Sequence, residues 1–319
     1  MKHIRNAFFI ATAAVLLVTA TLLIAAALSG CSANSAVDAE PEPEPEDLSW
    51  LPEIPVASAP GVDAAGNRKA VVDYSNMRDG YIMVRYIAQS RNQIRALVTV
   101  PGGTKYIFRI EPDGDYEVLP LSGGDGEYTI EILEEVEDQL YALALSVTID
   151  VVLENEFAPF LRPNQYVNYR RSSAVVRKAA ELTEGVENQM DKIAAIYNYV
   201  IENIAYDSHL AWTVQSGYIP DVDAIMESGR GICFDYAALM TAMLRSQSIP
   251  TRMVLGYTGD TYHAWISVYA EEMGWVDNMI FFDGLDWKIM DPTFAARDRS
   301  DEIMEYIGNP ANYHELYQY

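Results

Sequence analysis

Between about Ala70 and Leu153, apolar and polar residues alternate with a period of two, which is typical of half-buried β-strands. The apolar sets that share one face are Ile82, Val84 and Tyr86; Tyr106, Phe108 and Ile110; Tyr128, Ile130 and Ile132; and Leu143, Leu145, Val147, Ile149 and Val151. Turn signals separate the sets at Pro101-Gly102-Gly103, Asp113-Gly114 and Asp125-Gly126. The acidic turns have no repeated ligand spacing, so hairpin turns explain them better than calcium loops. About six short antiparallel strands at this spacing predict a β-sandwich of immunoglobulin-like type.

After residue 164 the period becomes helical. Apolar residues between Met190 and Ile204 fall on one face of an amphipathic helix, and a shorter helix is expected from Ser172 to Leu182. A third helix begins at Cys233 and stops before Ile249-Pro250, because the residue before proline disfavours helical angles. Strands are then expected at Thr251–Tyr257, His263–Tyr269, near Val276–Phe282, and at Trp287–Met290. Helices followed by an antiparallel sheet predict an α+β domain.

The N-terminal residues resemble an export signal. Lys2 and Arg5 precede an uncharged stretch from Ala7 to Leu28, and Leu28-Ser29-Gly30-Cys31 resembles the bacterial lipobox. We therefore expect a signal peptide over residues 1–30 and a lipid on Cys31. An uncleaved transmembrane anchor is the alternative, because the stretch is long enough to span a bilayer. Either interpretation places the rest of the chain outside the cytoplasm, tethered to the membrane.

Composition then suggests how the remainder is divided. Residues 31–60 include Pro41-Glu42-Pro43-Glu44-Pro45-Glu46, a stiff and self-repelling run that predicts a disordered tether. The sandwich is expected over 61–160 and the mixed domain over 161–319. The formal net charge of −24 excludes nucleic acid as a reasonable partner, because phosphate binding needs clustered Lys and Arg.

Only two cysteines occur, and lipidation of Cys31 would leave Cys233 as the one thiol. Cys233 follows the turn Gly229-Arg230-Gly231 and opens a helix, where unpaired N–H groups and the helix dipole favour thiolate over thiol. A buried, inert cysteine is the structural alternative. It does not explain the glycine-rich turn, so we expect Cys233 to be a nucleophile.

Two downstream residues complete a plausible catalytic set. His263 lies in a predicted strand, and Asp291 follows the predicted strand Trp287–Met290. A helix start and two adjacent strands could therefore bring both residues to Cys233. A histidine accepts the thiol proton, and a carboxylate orients the imidazole and stabilises its charged form. The backbone N–H of Cys233 is placed to donate to an oxyanion. One cysteine and one histidine fall short of a zinc ligand set.

Several ordered motifs resemble the transglutaminase-like superfamily, in particular its bacterial secreted members. They are Gly231-Ile232-Cys233-Phe234-Asp235-Tyr236-Ala237, Gln247-Ser248-Ile249-Pro250-Thr251-Arg252, Val254-Leu255-Gly256-Tyr257, His263-Ala264-Trp265 and Asp291-Pro292-Thr293. The resemblance covers about residues 165 to 300. It implies a papain-related fold, a triad of Cys233, His263 and Asp291, and a thioester acyl-enzyme. Calcium sites and barrel domains of animal members have no counterpart here, and no cofactor is implied.

The resemblance also implies a second oxyanion donor upstream of the cysteine, for which Tyr206, Trp212 and Gln215 all remain candidates. The acyl group passes to an amine in crosslinking members and to water in those that behave as proteases or amidases. We therefore expect a membrane-tethered cysteine enzyme acting on a protein or peptide. The alternative is a cell-surface binding or scaffold protein that keeps the fold without turnover. The sequence does not predict an oligomeric state.

Overall fold

The alternating residues build two four-stranded antiparallel sheets. This computed structural model describes residues 47–271, 273–276, 280–282, 287–289, 293 and 310–319. The strands of these two sheets are β1 (Ala64–Gly66), β2 (Ala70–Asp73), β3 (Tyr81–Tyr86), β4 (Ile94–Thr99), β5 (Lys105–Ile110), β6 (Glu117–Pro120), β7 (Gly126–Glu137) and β8 (Leu140–Val151). One sheet has the order β1-β2-β3-β6 and the other β5-β4-β7-β8. The prediction of antiparallel strands is confirmed for this part of the chain.

A β-bulge in β8 changes which of its residues are buried. Leu145 pairs with Ile132, whereas Leu143 pairs with Leu133, so Ala144 is an extra residue on the β8 side. An extra residue reverses the alternation of side chains beyond it. Leu143 is consequently 57% exposed, while Val147, Ile149 and Val151 are buried. The prediction that Leu143 shares their buried face is wrong for this reason.

The segment before β1 forms no helix or strand over residues 47–60, yet it is packed. Leu51 and Ile54 are buried in the core. The Arg171 guanidinium donates to the Leu51 carbonyl at 2.9 Å and pairs with Glu53 at 2.6 Å. The predicted disordered tether therefore does not extend over Leu51 to Ile54. The predicted signal peptide, Cys31 and the Pro-Glu run lie outside the described residues, and no helix among the described residues is long and apolar enough to cross a membrane.

Five helices form the middle of the described chain. They are α1 (Ala174–Thr183), α2 (Gln189–Asn203), α3 (Ser208–Thr213), α4 (Val222–Ser228) and α5 (Cys233–Ser246). The predicted helices correspond to α1, α2 and α5. Helix α5 is central, because every residue from Asp235 to Ser246 is buried. Helices α1, α2 and α4 pack against it.

Helix α4 was not predicted, although its sequence carries both end signals. The Asp221 carboxylate accepts from the Ala224 N–H at 3.1 Å, and Gly229 adopts the left-handed conformation typical of helix ends. The two short strands β9 (Ala205–Tyr206) and β10 (Arg230–Gly231) pair in parallel on either side of α3 and α4 in sequence. The chain thus returns to the same place after both helices.

An antiparallel sheet packs on one side of α5. Its strands are β11 (Thr251–Thr258), β12 (Thr261–Ala270), β13 (Gly274–Val276) and β16 (Tyr313–Gln318), in the order β13-β12-β11-β16. A separate pair is formed by β14 (Ile280–Phe282) and β15 (Trp287–Ile289). Three predicted strands correspond to β11, β12 and β15, whereas the stretch near Val276–Phe282 contains the end of β13 and all of β14, which belong to different sheets. Strand β16 was not predicted. The mixed α/β architecture with antiparallel sheets confirms the α+β part of the predicted fold class, whereas the immunoglobulin-like sandwich stays a prediction.

Strand β16 depends on a glycine in its neighbour. Gly256 of β11 lies at a register shift in the β11–β16 pair, where the backbones approach closely. A Cβ at Gly256 would be 2.0 Å from the His314 carbonyl oxygen and 2.8 Å from the Trp265 ring. A side chain cannot be accommodated there unless β16 moves away.

We predict that Gly256→Ala lowers the free energy of unfolding by about 3 kcal/mol, the upper end of the usual cost of overpacking. It should also accelerate amide hydrogen exchange along β16. Urea unfolding and hydrogen–deuterium exchange measure the two effects. Gly114→Ala is the control, because a Cβ there meets nothing within 4 Å and only its φ of +90° opposes the change. Equal exchange of β16 in both variants would contradict the prediction.

Candidate active site

The helix that carries Cys233 begins at a turn fixed by a buried carboxylate. Ile232 is the N-cap, and Asp235, in the first turn of α5, accepts from the Ile232 N–H at 2.8 Å through Oδ2. A side chain at Gly231 would collide with this arrangement, because its Cβ would be 2.5 Å from the Asp235 Cβ. The glycine before the cysteine is therefore required by the carboxylate that holds the turn.

The same carboxylate holds a second segment. The Tyr218 hydroxyl donates to Asp235 Oδ1 at 2.7 Å. Burial raises the pKa of Asp235, while the hydrogen bonds from the Ile232 N–H and the Tyr218 hydroxyl act in the opposite direction. Burial, and next the hydrogen bond to Asp235, raise the pKa of Tyr218. Tyr218 thus stays a neutral donor at physiological pH. Its hydrogen bond anchors the chain around Tyr218 to the start of α5.

Strand pairing fixes the turn from the other side. Tyr206 lies opposite Gly231 in the β9–β10 pair, and the Asp207 N–H donates to the Gly231 carbonyl at 2.9 Å. The Tyr236 hydroxyl, inside α5, donates to the Ile204 carbonyl at 2.5 Å. The residues on both sides of Cys233 are therefore bonded to the segment 204–207.

His263 is presented by the sheet. It lies on β12 opposite Gly256 of β11 and is 5% exposed. Its ring stacks on the Trp265 ring, with centroids 6.2 Å apart and an angle of 23° between the planes. Trp265 is itself buried and meets the Tyr313 ring edge-on at 5.1 Å. Packing on the indole thus restricts the orientation of the imidazole.

Cys233 and His263 line one cavity of about 610 Å³. Cys233 is partly exposed and is the free cysteine of the described residues. The aromatic residues in the cavity wall are Tyr166, Tyr206, Tyr218, Phe234, Tyr262, Tyr317 and Tyr319. Burial raises the pKa of Tyr262, and the neighbouring Tyr317, Tyr257 and Cys233 add to that effect. The wall is thus largely apolar, as in many small-molecule and peptide sites.

The other candidate site residues predicted from the sequence differ in whether they line this cavity. Tyr206 and Gln215 line the cavity, and the Gln215 side-chain amide donates to the Thr213 carbonyl at 2.9 Å. Trp212 is 89% exposed and is not part of the cavity wall. Asp291 lies outside the described residues, so its position relative to His263 is not described. Of the candidate second oxyanion donors, Tyr206 and Gln215 are the two that face the cavity.

Sequence reasoning missed Asp235 and Tyr218 as positioning residues. An acid in the first turn of a helix, three residues after the N-cap, is a recognised capping signal, and Asp235 stands at that spacing. Tyr218 had no comparable signal, because its bond to Asp235 joins residues 17 apart. The aromatic wall likewise assembles from distant segments, including Tyr317 of β16, which no local pattern indicated.

This arrangement suits nucleophilic catalysis. The N–H groups in the first turn of α5 lack intrahelical acceptors and can donate to a developing negative charge. A thiol at this helix start and an imidazole share a cavity whose wall is largely aromatic. The described residues of the site therefore offer a nucleophile, a proton acceptor and backbone donors.

Comparison with known proteins identifies the fold around the site. Residues 176–278 match the family model of the transglutaminase-like superfamily. YebA, an uncharacterised protein of Bacillus subtilis strain 168, is 30% identical over 118 residues, or 31% of this chain. The match spans only 16% of YebA. The predicted family resemblance is confirmed for residues 176–278.

Solved structures of low sequence identity are also similar to this chain. A candidate cysteine protease from Cytophaga hutchinsonii is 16% identical with a TM-score of 0.38, over 75% of each chain. Red sea bream transglutaminase is 12% identical with a TM-score of 0.30, over 72% of this chain and 53% of that one. The similarity to the superfamily therefore rests on residues 176–278 and not on these structures.

We predict that Tyr218→Phe lowers the free energy of unfolding by about 2 kcal/mol, because it removes a hydrogen bond to a buried carboxylate. It should also slow alkylation of Cys233 by iodoacetamide, since the turn before the helix loses an anchor. Urea unfolding and timed alkylation at pH 7 measure these effects. Tyr74→Phe is the control, because Tyr74 directly follows β2 and packs against the core. Normal alkylation in Tyr218→Phe would show that Tyr218 does not position Cys233.

Proposed function

From the transglutaminase-like core of residues 176–278, we propose that this chain is a cysteine enzyme that transfers acyl groups from peptide or protein amides. The observation that carries the proposal is the shared cavity of Cys233 and His263. Cys233 opens a helix whose start is held by Asp235, and His263 is held by stacking on Trp265. A binding protein has no need for this combination of a thiol and an imidazole.

In the first step His263 accepts the Cys233 proton and Sγ attacks the amide carbonyl carbon. The oxyanion that forms is stabilised by the first-turn N–H of Cys233 and by Tyr206 or Gln215. The carbon–nitrogen bond then breaks, and the nitrogen leaves as ammonia or an amine with the proton from His263. The product is a thioester on Cys233. Asp291 is proposed to orient His263, in keeping with the family's triad.

In the second step an acceptor gives its proton to His263 and attacks the thioester carbonyl, releasing the Cys233 thiolate. A lysine amine as acceptor produces a crosslink, and water produces hydrolysis. The aromatic wall of the cavity supports the transfer reaction, because water competes less well where a site is apolar. An amine entering beside Tyr262 and Tyr317 would meet aromatic faces, which favour cations.

The proposal extends to where the enzyme acts. Lys2, Arg5 and the Leu28–Cys31 motif support export, lipidation of Cys31 and an extracytoplasmic position on the membrane. The two antiparallel sheets support an immunoglobulin-like module ahead of the catalytic core. A scaffold protein without turnover is the second candidate, and the exposed Trp212 and the strand-rich part are the features that favour it.

The proposed function predicts a reactive thiol at Cys233. Iodoacetamide at pH 7 should alkylate Cys233 at least about tenfold faster than a free cysteine peptide, because only a few per cent of a free thiol is ionised there. His263→Ala should remove most of that advantage, whereas His314→Ala, an exposed histidine on β16, should not. Mass spectrometry of the modified peptide gives the rates. A rate equal to that of the free peptide, or no modification, would favour the scaffold.

The second prediction concerns the acceptor. A glutamine-containing protein such as casein, incubated with a fluorescent primary amine, should become labelled while ammonia is released in equal amount. Cys233→Ala should abolish both signals, because no thioester can form. Ammonia release without labelling would identify water as the acceptor and reject the transferase. Absence of both signals with several donors would argue against the enzyme.

A further inference from the structure

A second groove continues from the candidate active site. Ile107, Tyr166, Ser216 and Gly217 line both the cavity that holds Cys233 and an adjoining groove of about 490 Å³. The groove runs to the edge of the sheet β5-β4-β7-β8, because residues of β4 and β5 form its wall. A chain bound at Cys233 can therefore extend into this groove without leaving the surface.

The groove is positively charged in a protein that is strongly negative. Arg91, Arg95 and Arg109 line it, and Glu111 is the one carboxylate among its lining residues in the described structure. The sequence has 22 Lys and Arg against 46 Asp and Glu, so three arginines beside one acid reverse the overall balance. A local field of this sign concentrates anionic ligands.

Two of these arginines occupy positions that do not favour folding. Arg95 of β4 and Arg109 of β5 lie directly opposite each other, and like charges in such cross-strand pairs destabilise a sheet. Each arginine has a neighbouring partner, and the Arg95 guanidinium donates to Gln93 Oε1 at 3.2 Å. Arg109 pairs with Glu111 at 2.6 Å on a surface where both side chains are about half exposed, and Arg95 lies 4.7 Å from the centroid of the Tyr141 ring. A bound anion between the two strands would remove the remaining repulsion.

The groove is also rigidly joined to the active site. The Gln165 side chain accepts from the Arg109 N–H at 3.1 Å and donates to the Arg109 carbonyl at 2.6 Å. The Tyr166 hydroxyl donates to the Ile107 carbonyl at 3.0 Å, and the Tyr166 ring lies 5.7 Å from that of Phe234, next to Cys233. The Arg109 backbone is thus linked through Gln165, Tyr166 and Phe234 to the start of the helix that carries Cys233.

We propose that this groove binds an acidic segment of the peptide substrate, so that the enzyme selects acyl donors with Asp or Glu near the reacting amide. The proposal rests on the proposed function, because it assumes that the ligand at Cys233 is a peptide. Guanidinium groups match carboxylates with two parallel hydrogen bonds. Asn92, which also lines the groove, offers an amide for the peptide backbone.

The test measures binding separately from turnover. The full chain carrying Cys233→Ala is titrated into a fluorescein-labelled peptide with one glutamine followed by four glutamates, and fluorescence anisotropy is recorded. A peptide of the same length with serines in place of the glutamates is the reference. The acidic peptide should bind at least about tenfold more tightly at low salt, and the difference should shrink as salt screens the charges.

Substitution then locates the site. Arg95→Gln combined with Arg109→Gln should abolish the preference for the acidic peptide, whereas Arg68→Gln, an exposed arginine outside the groove, should keep it. Circular dichroism checks that the double variant folds, and Arg91→Gln alone, in an exposed loop, replaces it if it does not. Equal binding of both peptides, or a preference that survives these changes, would overturn the proposal. Tighter binding of a phosphoserine peptide would also overturn it, since phosphate would then be the ligand.

Failure of this proposal is distinguishable from failure of the enzyme. Binding by the Cys233→Ala variant does not require a thioester, so an inactive protein can still show the preference. Conversely, an active enzyme that labels acidic and neutral donors with equal KM would reject the groove and leave the catalytic proposal intact.

Discussion

The buried carboxylate of Asp235 is the interaction on which the rest of the site depends. It accepts from the Ile232 N–H and from the Tyr218 hydroxyl, and so it fixes both the turn before Cys233 and the segment that closes one side of the cavity. Burial of an acid is costly unless its oxygens are satisfied, and here each oxygen has a donor. Gly231 is the matching constraint, because any larger residue would occupy the space of the Asp235 side chain.

The sheet also depends on a glycine, because a side chain at Gly256 would collide with β16. Gly256 allows β16 to approach β11, and β16 in turn brings Tyr317 to the cavity. The Tyr319 ring packs edge-on against Tyr106 and Phe108 of β5, with centroids 5.4 and 5.8 Å apart. The aromatic wall therefore joins the strand-rich part to the helical core. Loss of β16 would remove Tyr317 from the cavity wall and weaken this contact.

Local patterns predicted what local forces determine. The period of two predicted the antiparallel strands, and the helical period predicted α1, α2 and α5. The ordered motifs predicted a family resemblance, which is confirmed for residues 176–278. The sequence patterns did not predict the features that depend on contacts between residues far apart in the chain. The bulge that exposes Leu143 arises from its pairing with β7, and β16 forms because Gly256 leaves room for it. The bond from Tyr218 and the shared cavity of Cys233 and His263 likewise require the folded chain. The triad role of Asp291 stays a prediction, since the described residues do not include it.

If Cys233 is the nucleophile, a thioester on its Sγ must form during turnover, and this intermediate can be trapped. The full chain is mixed with an excess of a glutamine peptide, quenched in acid within seconds, and digested for mass spectrometry. We expect a Cys233 fragment that is heavier by the mass of the peptide less ammonia. Hydroxylamine should remove this added mass, because it cleaves thioesters. The adduct should be absent in His263→Ala. An unmodified Cys233 in the wild-type chain, under conditions where the peptide demonstrably binds, would contradict the claim.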